Sequence, residues 1–215
     1  MKAGPPEDST FERRRQRMVE RQLRRRGIRD ERVLRAMSVV PRECFLPPDV
    51  RERAYRDGAL PIGEGQTISQ PWIVARMTAL LELEGPERVL EVGTGSGYGA
   101  AVLSRCCSHV VTVERHAALA AAAGAALAQL DYRNVEVRTG DGTVGVPDRA
   151  PFDGILVTAA AAQGPPRALV DQVVPGGALV CPIERGGDER LVRFRDGAED
   201  SIAPVRFVPL VEGEA

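Results

Sequence analysis

The sequence has a single lysine, Lys2, among its 215 residues, and only two histidines, His109 and His116. One lysine at the extreme start leaves no side chain for Schiff-base catalysis or for a P-loop. The histidines stand at no metal-ligand spacing with each other or with the cysteines, so neither a His/Cys zinc site nor any other metal is expected. The four cysteines, at 44, 106, 107 and 181, make no CxxC pair and no disulfide framework, which points to a reducing, cytoplasmic compartment. No apolar run approaches the roughly 18 residues of a membrane span, and the polar start Met1–Asp8 does not read as a signal peptide. Charge of neither sign dominates: 29 basic against 30 acidic side chains leave a net −1. That balance argues against duplex nucleic acid or an anionic membrane as a partner chosen by bulk electrostatics.

What is present is enough apolar sequence, 43%, for one domain with a real core. Residues 1–10 read as a loose, flexible terminus. From Phe11 to Arg26 the chain is arginine-dense, with Phe11, Met18, Val19 and Leu23 at helical spacing, so an amphipathic helix with a solvated basic face is expected. Asp30 is a cap for a second helix over Arg32–Val40, which Pro41 ends. Pro41–Pro71 shows little periodicity and carries the string Gly65-Gln66-Thr67-Ile68-Ser69-Gln70-Pro71; a long structured loop of this kind is usually functional. A helix is expected over Trp72–Leu83, completing an N-terminal unit over residues 11–84.

Residues 85–215 change rhythm. Strands at Arg88–Val92, Val110–Glu114, Val135–Arg138, Gly154–Thr158 and Gly177–Cys181 alternate with helices at Ala100–Arg105, Ala117–Leu130 and Arg167–Val173. This predicts an α/β, doubly wound, mostly parallel sheet with helices on both faces. Leu191–Arg195 and Val205–Val208 read as strands with no helix between them, so an antiparallel finish is expected. The two units are expected to pack as one compact body.

Three strand ends carry chemistry. At the first, Glu91-Val92-Gly93-Thr94-Gly95-Ser96-Gly97-Tyr98 makes a glycine turn into a helix, where a ligand can approach the backbone closely. Tyr98 stands where a dinucleotide fingerprint wants its third glycine, and Glu91 suits an ammonium group but would repel a pyrophosphate. At the second, Glu114 can accept both hydroxyls of a ribose. At the third, Gly140-Asp141-Gly142 places Asp141 where it could take an adenine amino group. Ribose, adenine and an amino-acid head without phosphate describe S-adenosylmethionine.

The chain resembles the protein-L-isoaspartate O-methyltransferases, a family of class I methyltransferases. The resemblance rests on Glu91–Gly97, on Val40-Pro41-Arg42-Glu43, Ala54-Tyr55-Arg56-Asp57, Gly65–Pro71, Ala150-Pro151-Phe152-Asp153, Val157–Ala161 and Phe207-Val208-Pro209-Leu210. It implies a monomeric repair enzyme for isoaspartyl-containing proteins and peptides. It also implies Ser69 as the active-site residue, Gln66, Thr67 and Ile68 as the loop closing over the cofactor, and Leu60, Pro61 and Ile62 as the substrate-backbone site. A plainer role for Ser69, capping the helix near Trp72, is compatible with that. Trp72 reads as a packed helix-start residue or a border of the active site, and adjacent Cys106 and Cys107 read as packing.

Three stretches depart from the family pattern: Gln163-Gly164-Pro165-Pro166, Val146, and Glu184-Arg185. They leave the cofactor residues intact and bear on acceptor range. Two other functions fit the same cofactor residues: esterification of an aspartate in a ribosomally made peptide, and a non-catalytic adenosylmethionine-binding module. A nicotinamide oxidoreductase is disfavoured by Glu91 and by the missing third glycine.

Overall fold

The computed structural model describes residues 8–213, with only the backbone of Asp8 and Ser9; most of the expected loose terminus, and Lys2, lie outside the described residues. Helix α1 (Asp8–Met18) begins inside the stretch expected to be loose. The amphipathic segment is not one helix. It passes into a π-helical turn at Val19–Leu23, then a tight turn at Arg24–Arg26 that Gly27 ends in the left-handed region. The π turn buries Val19 and Leu23, so tertiary packing has overridden regular helix here. Helix α2 (Glu31–Val39) is capped as expected: the Asp30 carboxylate accepts from the backbone N–H of Arg32 and Val33.

The segment read as one long structured loop contains short 3₁₀ turns at Arg42–Phe45 and Arg51–Arg53. It also contains an antiparallel hairpin of β1 (Leu60–Gly63) and β2 (Gln66–Ile68). The turn residues Glu64 and Gly65 both have positive φ (51° and 67°), the twist a two-residue hairpin needs. Helix α3 (Pro71–Leu80) follows, with Pro71 at its first position, where the missing N–H costs nothing.

The core sheet is built by β3 (Arg88–Val92), α4 (Tyr98–Ser104), β4 (His109–Glu114), α5 (Ala117–Gln129), β5 (Val135–Thr139), β6 (Phe152–Val157), β7 (Ala161–Ala162), α6 (Arg167–Val170) and β8 (Val173–Arg185). The antiparallel strands β9 (Asp188–Arg195) and β10 (Ala198–Pro204) complete it. The main order is β10-β9-β8-β6-β3-β4-β5, and pairings from β8 through β6, β3 and β4 to β5 are parallel. The chain reverses direction of travel beside β3, and a doubly wound sheet binds ligands at that switch point, outside the carboxyl ends of its strands.

Both faces are covered. Val89, Val110, Leu156 and Val180 pack with α2, α3, α4 and α5, whereas Leu90, Val111, Ile155 and Leu179 face a second cluster containing Leu169 of α6. The antiparallel finish is present, but its last strand is Ala198–Pro204 and not Val205–Val208. Residues 205–208 instead leave the sheet, and the chain returns across the strand ends, where Pro209 bridges Ala160. Cys106 and Cys107 are buried thiols whose pKa values burial pushes up to about 12, consistent with packing.

Two departures from the family pattern meet in space. Arg185 donates to the Gln163 carbonyl and pairs with Glu199, and Gln163 N–H donates to Glu184. They form one rim at the ends of β7 and β8. Val146 is buried in the second cluster.

Candidate active site

Glu91 and Thr112 are direct neighbours across the parallel pair β3–β4. Thr112 Oγ1 donates to Glu91 Oε2 at 2.7 Å and lies 2.7 Å from Thr94 Oγ1, so the carboxylate is held from the strand beside it. Glu91 is 1% exposed, and burial pushes its pKa up to about 8, against the opposing Thr112 bond and with the charge of Glu114 adding to the rise. A side chain at Gly99 would collide with the free Glu91 oxygen, which explains a glycine inside α4.

The glycine turn is fixed from both neighbouring strands. Gly93 N–H donates to the Val113 carbonyl, while Thr158, just beyond β6, donates its hydroxyl to the carbonyls of Val92 and Gly93. Gly93, Gly95 and Gly97 all have positive φ (94°, 52° and 87°), a path that side-chain-bearing residues rarely follow. Glu114 joins turn to strand end: Oε2 accepts from Gly95 N–H at 2.8 Å and Oε1 from His116 N–H at 3.0 Å.

These elements enclose a cavity of about 360 Å³, a size suited to a small cofactor. Of the residues singled out in the sequence, Gln66, Thr67, Ile68, Ser69, Glu91, Gly93, Thr94, Gly95, Ser96, Glu114 and Gly142 line it. Gly97 does not, but turns the chain into α4 just behind it. Asp141 does not line it either. Its Oδ1 caps the following turn through Thr143 N–H and Oγ1, and its Oδ2 accepts Gly213 N–H at 2.7 Å. Leu60, Pro61 and Ile62 lie outside the cavity on β1, with Ile62 packed toward Gly95.

Ser69 follows β2 and is half-buried. It does not cap α3: the cap position belongs to Gln70, and no side chain bonds the helix start. Trp72 is not a border of this cavity. It packs at the start of α3 under Arg26, whose guanidinium lies 5.0 Å from its ring centre.

The lining also includes residues to which sequence reading gave no site role: His116, Val211, and Thr158, Ala159 and Val208–Leu210, which stood there only as parts of family motifs. That last segment is strapped to the body by Ala160 N–H to Val208 O, Leu210 N–H to Ala160 O, and Arg115 Nε to Gly213 O. Among the described residues no group of three His, Cys, Asp or Glu side chains could hold a metal ion, and no helix is long and apolar enough to cross a membrane.

Comparison with known proteins identifies the family. The family model for protein-L-isoaspartate(D-aspartate) O-methyltransferase matches residues 13–215. Protein-L-isoaspartate O-methyltransferase 1 of Rhodopseudomonas palustris is 52% identical over 98% of this chain and 89% of its own. The Synechococcus protein-L-isoaspartate O-methyltransferase is 50% identical over 96% and 89%. Among solved structures, a protein-L-isoaspartate O-methyltransferase superposes with a TM-score of 0.80 at 30% identity, over 91% of this chain but 65% of that longer one. Another, from Plasmodium falciparum and solved with S-adenosyl-L-homocysteine, gives 0.77 at 26%, over 92% and 98%. The chain therefore belongs to the protein-L-isoaspartate(D-aspartate) O-methyltransferase family, and it is a methyltransferase of that kind.

Proposed function

We propose that this chain binds S-adenosylmethionine in the cavity at the ends of β3, β4 and β5 and esterifies the free carboxylate of isoaspartyl residues in damaged proteins and peptides. The observation that carries this reading is the placement of Glu91, Glu114 and Gly142 around one cavity over which the Ser69 loop lies. The donor set fits the cofactor. Glu91, buried with one oxygen free of Thr112, faces an ammonium; Glu114 takes the ribose hydroxyls on lone pairs left over from its backbone bonds; Gly142 meets the adenine edge, with Asp141 holding the turn behind it. Gln66, Thr67 and Ile68 close one side of the cavity and Val208–Val211 the other. When bound, the cofactor supplies a methyl group already activated on a sulfonium.

The acceptor is a carboxylate with a pKa of roughly 4 in solution, so it is ionised at neutral pH and needs no general base. What remains for the protein is orientation in a water-poor site. In this reading the Ser69 hydroxyl donates to the acceptor carboxylate and holds it in line; that Ser69 lines the cavity supports this. Leu60, Pro61 and Ile62 receive the substrate backbone: among the described residues no strand but β2 pairs with β1, which leaves its outer edge unpaired for an extended peptide. The product ester is then attacked by the backbone nitrogen of the following residue; methanol leaves and a succinimide forms, whose hydrolysis partly restores the normal aspartyl link.

The arginine-dense segment supports a role as scaffold, not as a nucleic-acid arm. Arg14 pairs with Glu52, Arg24 with Glu31, and Arg26 with Asp57. The reading makes the chain a cytoplasmic monomer that uses no metal. Mass spectrometry of an isoaspartyl peptide incubated with enzyme and adenosylmethionine tests it. A methyl ester decaying to succinimide is expected; an unmodified peptide in the presence of bound cofactor would overturn the acceptor assignment.

A further inference from the structure

Arg42 is the bulkiest of the fully buried side chains among the described residues. A guanidinium taken out of water costs several kcal/mol unless its donors are used. Its Nε donates to the Ala54 carbonyl at 2.8 Å and its Nη2 to the Ser69 carbonyl at 2.8 Å. The guanidinium lies 4.9 Å from the centre of the Tyr98 ring, a cation–π contact. Nη1 finds no hydrogen-bond partner among the described residues. Burial pushes its pKa down to about 10, which leaves it a cation at neutral pH. Apolar residues of similar volume generally fill a core at least as well as a buried ion. An arginine that tolerates an unused donor is therefore placed by its contacts and not by packing alone.

Those contacts reach two sides of the site. Ser69 sits between β2 and α3, with no cap bond of its own to fix it, and its carbonyl is gripped by Arg42. Tyr98 is the first residue of α4, directly after the glycine turn. Arg42 itself is anchored from behind. The adjacent Glu43 accepts the Tyr55 hydroxyl and lies 3.8 Å from Arg15 of α1, while Gln22 donates to the Tyr55 carbonyl. The N-terminal segment thus braces the 3₁₀ turn that carries Arg42, and the guanidinium in turn holds the Ser69 loop.

We propose that Arg42 is a positioning residue for methyl transfer: gripping the Ser69 carbonyl while resting on the Tyr98 ring, it sets the Ser69 hydroxyl against the glycine turn. The proposal rests on the assignment of Ser69 to the acceptor site. An in-line displacement punishes misplacement, with about 1 Å costing about a hundredfold in rate. Arg42 touches neither Glu91 nor Glu114, so its loss falls on the transfer step and spares cofactor affinity.

Three alterations test this: Arg42→Lys, Arg42→Met, and an ester in place of the Ser69–Gln70 peptide bond. The ester weakens the Ser69 carbonyl as an acceptor and leaves Arg42 in its place. For each, adenosylhomocysteine affinity, melting temperature, and kcat and KM for an isoaspartyl peptide are measured. The expected result is a kcat lowered about tenfold in Arg42→Lys and more in Arg42→Met, with adenosylhomocysteine Kd within about threefold of wild type. In a Ser69→Ala background, Arg42→Lys is expected to cost less than about twofold, because the hydroxyl it places is gone.

Additive effects of Arg42→Lys and Ser69→Ala, or a kcat that falls only in step with adenosylhomocysteine affinity, overturn the proposal. If neither Arg42 variant folds, the backbone ester decides. A kcat lowered about threefold or more at unchanged cofactor affinity supports positioning, and an unchanged kcat refutes it. A wild-type chain that binds adenosylhomocysteine but esterifies no isoaspartyl peptide removes the acceptor assignment, and the proposal with it.

Discussion

The Glu91 carboxylate and the Thr112 hydroxyl, paired at 2.7 Å across β3 and β4, leave a buried acid beside the cavity with one oxygen unused by Thr112. Burial holds its pKa up at about 8, so without ligand it is protonated at neutral pH. An ammonium arriving beside it reverses that preference. Calorimetry of adenosylhomocysteine binding at pH 7, in buffers of different ionisation enthalpy, is predicted to show release of roughly one proton per ligand. Glu91→Gln is predicted to abolish the release. Buffer-independent binding heats in the wild type would contradict this role for Glu91.

The same group makes the unliganded protein sensitive to alkali. Its pKa is raised on folding, so the folded state holds a proton that the unfolded state has already lost above the ordinary carboxylate range. Its contribution to stability is full below about pH 4.5 and is lost as pH rises through about 8. Melting temperature is predicted to fall across that window, and Glu91→Gln to flatten the fall. Thermal unfolding at several pH values checks both.

Glu114 spends both oxygens on backbone N–H groups, those of Gly95 and His116. Glu114→Gln keeps the shape but turns an amide NH₂ toward one of these donors. A buried donor facing a donor costs about 1–3 kcal/mol. The variant is predicted to lose cofactor affinity by about tenfold or more, with a lower melting temperature, in equilibrium binding and thermal melts.

Asp141 is tied to the returning chain through Gly213 N–H, and Arg115 holds the Gly213 carbonyl. Gly213→Pro removes the N–H and cannot adopt the φ of 79° found there. Releasing this strap is predicted to speed adenosylhomocysteine dissociation about tenfold while changing melting temperature little. Stopped-flow displacement measures the rate; an unchanged rate would show that the strap does not retain the ligand.

The parts of this site visible in the sequence are those written locally. Arg88–Val92 is a run of strand formers ending in glycines, and the observed strand has the same bounds. Asp30 announces its helix through a capping bond that a short-range pattern can reveal. The hairpin of β1 and β2 is hidden because Pro61 and Gly63 interrupt a strand of four residues, and its register depends on the turn at Glu64 and Gly65. The apolar stretch around Val205–Val208 looks like a strand, but β9 is already paired by Ala198–Pro204, so the chain is free to cross the cavity instead. Arg42 is legible only as part of a family motif; that it grips Ser69, 27 positions away, is tertiary information.

The central claim is that Ser69 serves transfer to an isoaspartyl carboxylate. The most direct test is base-labile methyl incorporation from labelled adenosylmethionine into an isoaspartyl peptide, its normal aspartyl twin, and the same pair with Ser69→Ala. Turnover on the isoaspartyl peptide alone, lowered about tenfold or more by the substitution at unchanged adenosylhomocysteine affinity, is the predicted result. Equal turnover on both peptides, or a Ser69→Ala enzyme as fast as wild type, would contradict it.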